Sequence, residues 1–133
     1  MGTIEHIIAG GKLLAYVVRA ELNPTKTTFL TPLESNVQVG YIVYPSGHTI
    51  ARHVHRPVER HIVGTTEVLV VRKGRCEMDV YDDDRQLVAT RELREGDLMI
   101  MVGGGHGFRM LEDTVLLEVK QGPYMGQDDK LRF

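Results

Sequence analysis

Residues 67–82 read EVLVVRKGRCEMDVYD, and two runs of strand-type residues meet there across Lys73-Gly74. The first run, 67–73, is rich in valine. The second, 75–82, alternates strictly, with Cys76, Met78 and Val80 on one face and Glu77, Asp79 and Tyr81 on the other. Such alternation puts successive side chains on opposite faces of a half-buried strand, and a glycine between two such runs marks a turn. The same reading extends outward. Strands are predicted at 13–19 (LLAYVVR), 37–44 (VQVGYIVY), 86–93 (QLVATREL), 97–102 (DLMIMV) and 114–120 (TVLLEVK). In the last, Val115, Leu117 and Val119 share one face, and Leu116, Glu118 and Lys120 the other. Pro45-Ser46-Gly47, Asp82-Asp83-Asp84, Glu95-Gly96-Asp97 and the triple glycine 103–105 supply turn signals. No stretch sustains a helical period of apolar residues. Short strands at this spacing predict an all-β fold, an antiparallel sandwich or barrel.

At 133 residues the chain has room for one domain with a modest core. A net charge of -2, with basic residues scattered and not gathered in a block, argues against a nucleic-acid partner. No apolar run approaches the roughly 18 residues of a membrane span. The start, MGTIEHIIAGGKLL, lacks a basic region followed by an apolar stretch, so no secretion signal is expected. The one cysteine, Cys76, allows no internal disulfide and sits in a strand interior as a core residue. A cytoplasmic location is the expectation.

The chemistry-bearing stretch runs from Gly47 to His55, GHTIARHVH. In a strand, residues two apart share a face, so His53 and His55 would present two imidazoles side by side, with Val54 turned into packing. That arrangement suits two ligands of one metal ion. Glu67, opening the next strand, is a third candidate. His106 is a fourth, placed just after three glycines, where backbone can approach a neighbouring strand closely.

These spacings resemble the cupin family. Its first motif is Gly, five residues, His-x-His, a short spacer, Glu, six residues and Gly; here Gly47, His53, His55, Glu67 and Gly74 occupy those places. Its second motif is Gly, five residues, a proline, and soon afterwards a histidine; here Gly96, Val102 and His106 stand in that order. The likeness covers roughly residues 40–120. It departs from the pattern in the eleven-residue spacer between His55 and Glu67, in Val102 for the proline, and in His106, which comes one residue early. Glu59 lies at the usual distance from His55 and rivals Glu67. Glu67 is preferred, because Gly74 follows it at the expected interval and it begins a clear strand.

The resemblance implies a single-domain jelly-roll barrel: N-terminal strands over 1–40 that serve dimer formation, a barrel core over 41–120, and an extended tail over 121–133. It implies one divalent transition metal ion (iron, manganese, nickel, zinc or copper) on His53, His55, Glu67 and His106. Imidazoles with a single carboxylate suit such ions better than magnesium or calcium. Four protein ligands leave positions open for substrate. Arg52, Arg56, Arg60 and Arg109 are candidates for holding an anionic substrate by paired hydrogen bonds. Glu59 and His61 are candidates for proton transfer; His48 and His61 are otherwise expected in solvent or behind the ligands, and His6 is uninvolved. The expected activity is isomerase or epimerase chemistry on a small anionic oxygenated molecule of the sugar or sugar-acid type. A metal-dependent dioxygenase is the alternative, and a non-catalytic small-molecule binding or sensing module a second one. A homodimer is expected, since exposed edge strands need covering.

Overall fold

The structure, a computed structural model, describes residues 3–133, the side chain of residue 128 apart. Its strands are β1 (Ile4–Ala9), β2 (Lys12–Val18), β3 (Thr28–Phe29), β4 (Gly40–Tyr41), β5 (Glu67–Lys73), β6 (Arg75–Tyr81), β7 (Leu87–Arg94), β8 (Leu98–Met101), β9 (Gly105–Met110) and β10 (Val115–Lys120). A turn of 3-10 helix covers Gly126–Asp129. The all-β expectation holds, and every strand pairing is antiparallel. No helix among the described residues is long and apolar enough to cross a membrane.

The chain forms two compact units: the residues up to Leu22 together with Thr65–Phe133, and the excursion Asn23–Gly64. The first unit is a sandwich of two sheets. The larger has the order β1-β2-β8-β5-β10, the smaller β7-β6-β9. Alternation decides what lies between them. Cys76, Met78 and Val80 of β6 are buried, as their shared face predicts, and join Ala15, Val17, Leu69, Val71, Met99 and Met101 of the larger sheet in one core. Glu77 and Asp79 turn the other way. The larger sheet is apolar on its second face too, where Tyr16, Val18, Val68 and Ile100 are buried. Hence the near-continuous apolar run of β8, a central strand.

Two glycines do specific work. Gly74 turns the chain between β5 and β6 at φ +89°, and a side chain there would strike the Asp113 carbonyl. Gly104, at φ +62°, lets the backbone pass against the Tyr81 carbonyl just ahead of β9. At the far end of the sheet, Asp97 is buried and fully used. Its carboxylate accepts from Arg19 (3.0 Å), from the Ala20 amide (2.9 Å) and from the Arg94 amide (2.9 Å).

The second unit is sparse. Phe29 of β3 lies over Gly40 of β4, Leu30 N–H donates to Val39 O (2.8 Å), and the Gln38 amide donates to the Pro32, Leu33 and Ser35 carbonyls. The strand predicted at 37–44 contracts to Gly40–Tyr41, and residues 45–66 lie outside any strand. This corrects the placement of His53-Val54-His55 on a strand. Val54 is 88% exposed, not packed. The physical reason is legible. ARHVHRPVER lacks an apolar alternation to bury, and Pro57 removes a ladder donor from its middle.

Candidate functional site

Inside the sandwich, one end of the interior is polar. Glu67 sits opposite Met101 in the β5–β8 register and shares the inward face of β5 with Leu69 and Val71. His106 sits opposite Val80 in the β6–β9 register, on the inward face of β9 with Phe108. The two side chains come from opposite sheets, and His106 Nε2 lies 3.7 Å from Glu67 Oε2. Their side chains are 28% and 13% exposed. Alternation along both strands explains the meeting, because each residue continues the face that carries the core.

Burial pushes the Glu67 carboxyl up to about 7, helped by a hydrogen bond with Glu118 and by that group's charge, against the pull of Lys120 and Lys130. Burial also lowers His106, and the Lys130 ammonium adds to this while Glu118 opposes it. A neutral imidazole therefore faces a carboxyl that resists ionising, and their contact is not an ion pair. The neutral ring offers a lone pair, which is what a metal or a proton requires.

Glu118, Lys120 and Lys130 were not singled out by sequence pattern. The signal for the first two was present. On β10 the Leu116–Glu118–Lys120 face turns inward and the Val115–Leu117–Val119 face outward, so the charged face is the one that meets the site. Lys130 comes from the tail, which is tied down by Thr65 Oγ1 donating to Asp129 Oδ1 (3.2 Å) and by Phe133 against Tyr81 at 5.1 Å between ring centroids.

His53 and His55 lie in the second unit, exposed, with ring centroids 5.2 Å apart and His53 Nδ1 at 2.8 Å from Ala51 O. They are neighbours despite the missing strand. Arg52, Arg56, Glu59, Arg60 and His61 are exposed in the same irregular segment. His48 is exposed and stacked on Tyr44 at 4.0 Å. Arg109 pairs with Glu77 on the outward face of β9, opposite to His106, so it does not share the interior with that ring. His6 stands by Tyr16, in the β1–β2 pair. Cys76 is buried in the core, and burial raises its thiol above the ordinary range, as befits an inert packing residue.

The structure thus brings the candidates together pairwise, Glu67 with His106 and His53 with His55. Among the described residues, no three His, Cys, Asp or Glu side chains are grouped to hold an ion. The Glu67–His106 pair has a spacing that fits one, since bonds of about 2.0–2.2 Å from nitrogen and oxygen to a shared ion span a gap of this size. Comparison with protein-family models, with curated proteins and with solved structures finds no match to this chain.

Proposed function

We propose that this chain is a metal-dependent enzyme of the cupin type acting on a small anionic, oxygen-rich substrate. Its divalent transition metal ion is held by Glu67 and His106; His53 and His55 are implied as ligands only by the resemblance to the cupin motif. The observation that supports this reading is the approach of the Glu67 carboxyl and the neutral His106 imidazole, 3.7 Å apart, from opposite sheets. Strand register brings these two residues, 39 positions apart in the chain, to one place, and polar atoms at the end of an apolar interior carry a desolvation cost that a bound ion would offset.

A bound ion would polarise a carbonyl or hydroxyl oxygen of the substrate. The chain's own residues do the rest. His106 and Glu67 orient the site from two rigid sheets. Glu118, hydrogen-bonded to Glu67, accepts or returns a proton at its carboxylate. Lys120 and Lys130 bring positive charge to the same end of the sandwich and attract an anionic substrate. Proton movement next to a polarised oxygen is isomerase or epimerase chemistry on a sugar or sugar acid.

The experiment is metal analysis of protein purified without an affinity tag, alongside Glu67→Gln, His106→Ala and His53→Ala variants. About one transition-metal ion per chain is expected, falling by more than half in each variant. Metal content retained in both Glu67→Gln and His106→Ala would overturn the reading. Where metal is present, uptake of solvent deuterium into sugars or sugar acids tests the chemistry, and its absence across such a panel would overturn the isomerase assignment.

A further inference from the structure

Residues 121–133 cross the end of the sandwich that holds Glu67 and His106, and the crossing can be followed contact by contact. Gln121 N–H donates to Thr66 O (3.0 Å) and Thr65 Oγ1 donates to Asp129 Oδ1 (3.2 Å), so the segment sets out beside the start of β5. Lys130 follows, near enough for its charge to act on both Glu67 and His106. Phe133 reaches the other sheet. In the β6–β9 register Gly105 stands opposite Tyr81, on the outward side. The Phe133 ring lies on that glycine and meets Tyr81 edge-on, at 5.1 Å between ring centroids. A side-chain carbon at residue 105 would stand 2.9 Å from the ring. The third glycine of the run is therefore a seat, an edge-strand glycine covered by an aromatic group. From the β6–β7 turn, the Arg85 guanidinium lies over the same ring at 5.5 Å.

We propose that residues 126–133 are a strap across the Glu67–His106 site, hooked by Phe133 onto Gly105 and Tyr81, and that its release admits small molecules to that site. Two observations carry this beyond a fixed closing segment. The first is position, since the span from Thr65 to Gly105 has one foot on each sheet and Lys130 between them, at the polar end of the interior. The second is how little holds it. Tyr124, Met125, Leu131 and Phe133 are all exposed, Leu131 at 74% and Phe133 at 63%. A segment that buries so little apolar surface opens locally at small cost, without disturbing the core beneath. Closed, the strap sets an ammonium beside the site, which favours closure over an anion and keeps water out. What the strap guards is the site of the proposed function, and to that extent the inference rests on that reading.

The test reads His106 directly and needs no metal. The full chain in EDTA is treated with diethyl pyrocarbonate at about pH 8, where imidazoles are neutral, and modification of each histidine is followed by peptide mass spectrometry. His48, His53, His55 and His61 are exposed and serve as internal references. In wild type, His106 is expected to react more slowly than these. Phe133→Ala removes the ring from its seat and should speed His106 at least about threefold against the references. Arg85→Gly should act in the same direction by a smaller factor. Residue 85 sits at φ +63°, where glycine is at ease, so the loosening does not come from a damaged turn. Leu131→Ala, in the same segment but outside the hook, should leave the rate at its wild-type value. His106 reactivity unchanged in Phe133→Ala, or raised as much by Leu131→Ala, would overturn the strap. Metal content tests the proposed function and labelling tests the strap, so the failure of one is distinguishable from the failure of the other.

Discussion

Between β5 and β6 the chain turns on one glycine, and every second residue of β6 is buried. Across residues 23–64, by contrast, Thr31 alone is buried, and the two strands present are two residues long each. Both stretches contain valines and isoleucines at similar density. Order accounts for part of the difference: β6 alternates over its whole length and has one face to bury, whereas in the excursion alternation is confined to Val37, Val39, Tyr41 and Val43 and is absent from 45–64. The sandwich is held by side chains far apart in sequence. The excursion is held by hydrogen bonds of its own side chains: Gln38 donates to Ser35 O, Asn36 donates to Val63 O, and Thr31 Oγ1 accepts from the Val39 amide.

The sharpest way to break this comparison is to truncate one apolar side chain in each region. Met78 is fully buried, and Met78→Ala should cost about 2–5 kcal/mol, the transfer term plus the cavity left behind. Val54→Ala, at a side chain open to solvent, should fall within about 0.5 kcal/mol of wild type. Urea denaturation followed by circular dichroism measures both. Comparable losses would mean that Val54 is covered in solution and that the two regions are not held so differently.

The same contrast explains what was legible beforehand. The strands at β5, β6, β7 and β10 announce themselves by composition and turn residues, and the inward face of β6 by alternation alone. β9 was not read as a strand, because GHGFRM has glycine at 105 and 107 and only two large apolar residues, Phe108 and Met110. The His53-Val54-His55 geometry assumed a strand that Pro57 and the unpatterned neighbours do not support. Glu67 and His106 were chosen by motif spacing, and each proves to continue a core-facing parity. For Glu118 the pattern separated two faces of β10 without saying which was inward. An apolar stripe is ordinarily turned to the core, and here the charged face turns in and the stripe turns out. The acid–base behaviour of Glu67 depends on Glu118 from a different strand, so no reading of β5 by itself contains it.

A smaller effect sharpens the comparison at the site. Glu67 has its folded-state value raised to about 7 from an ordinary 4.5, chiefly by burial. Between those values the folded protein binds more protons than the unfolded chain. The stability this supplies is complete below about 4.5 and is lost as pH rises through about 7. In EDTA, unfolding free energy should fall by about 1–2 kcal/mol between pH 5 and pH 7.5, after allowance for solvent screening. The window belongs to the Glu67–Glu118 pair jointly. Glu67→Gln should flatten it, while Glu59→Gln, on an exposed carboxylate of the excursion, should not. Parallel slopes in wild type and Glu67→Gln would show that this carboxyl is not the titrating group.

The smallest effect concerns how the two sheets are pinned at their rim. Arg91 of β7 donates to both oxygens of Glu5 of β1, with Nε at 2.9 and 3.0 Å and Nη2 at 2.7 Å. This is a two-pronged pair, but both side chains are more than a third exposed. Arg91 holds the Glu5 carboxyl below its ordinary range, principally through that hydrogen bond. A lowered folded-state value means the pair contributes at neutral pH and its contribution disappears as pH falls through the folded value. Solvent screening limits it to about 0.5 kcal/mol. Glu5→Gln should therefore cost little at pH 7 and nothing further on acidification, whereas wild type should lose that increment below the ordinary carboxylate range. Denaturation curves at pH 7 and pH 3 for both proteins separate the two cases. A loss well above 1 kcal/mol at pH 7 would place the pair in a drier setting than its exposure indicates. The rim would then resemble the core more than it resembles the excursion.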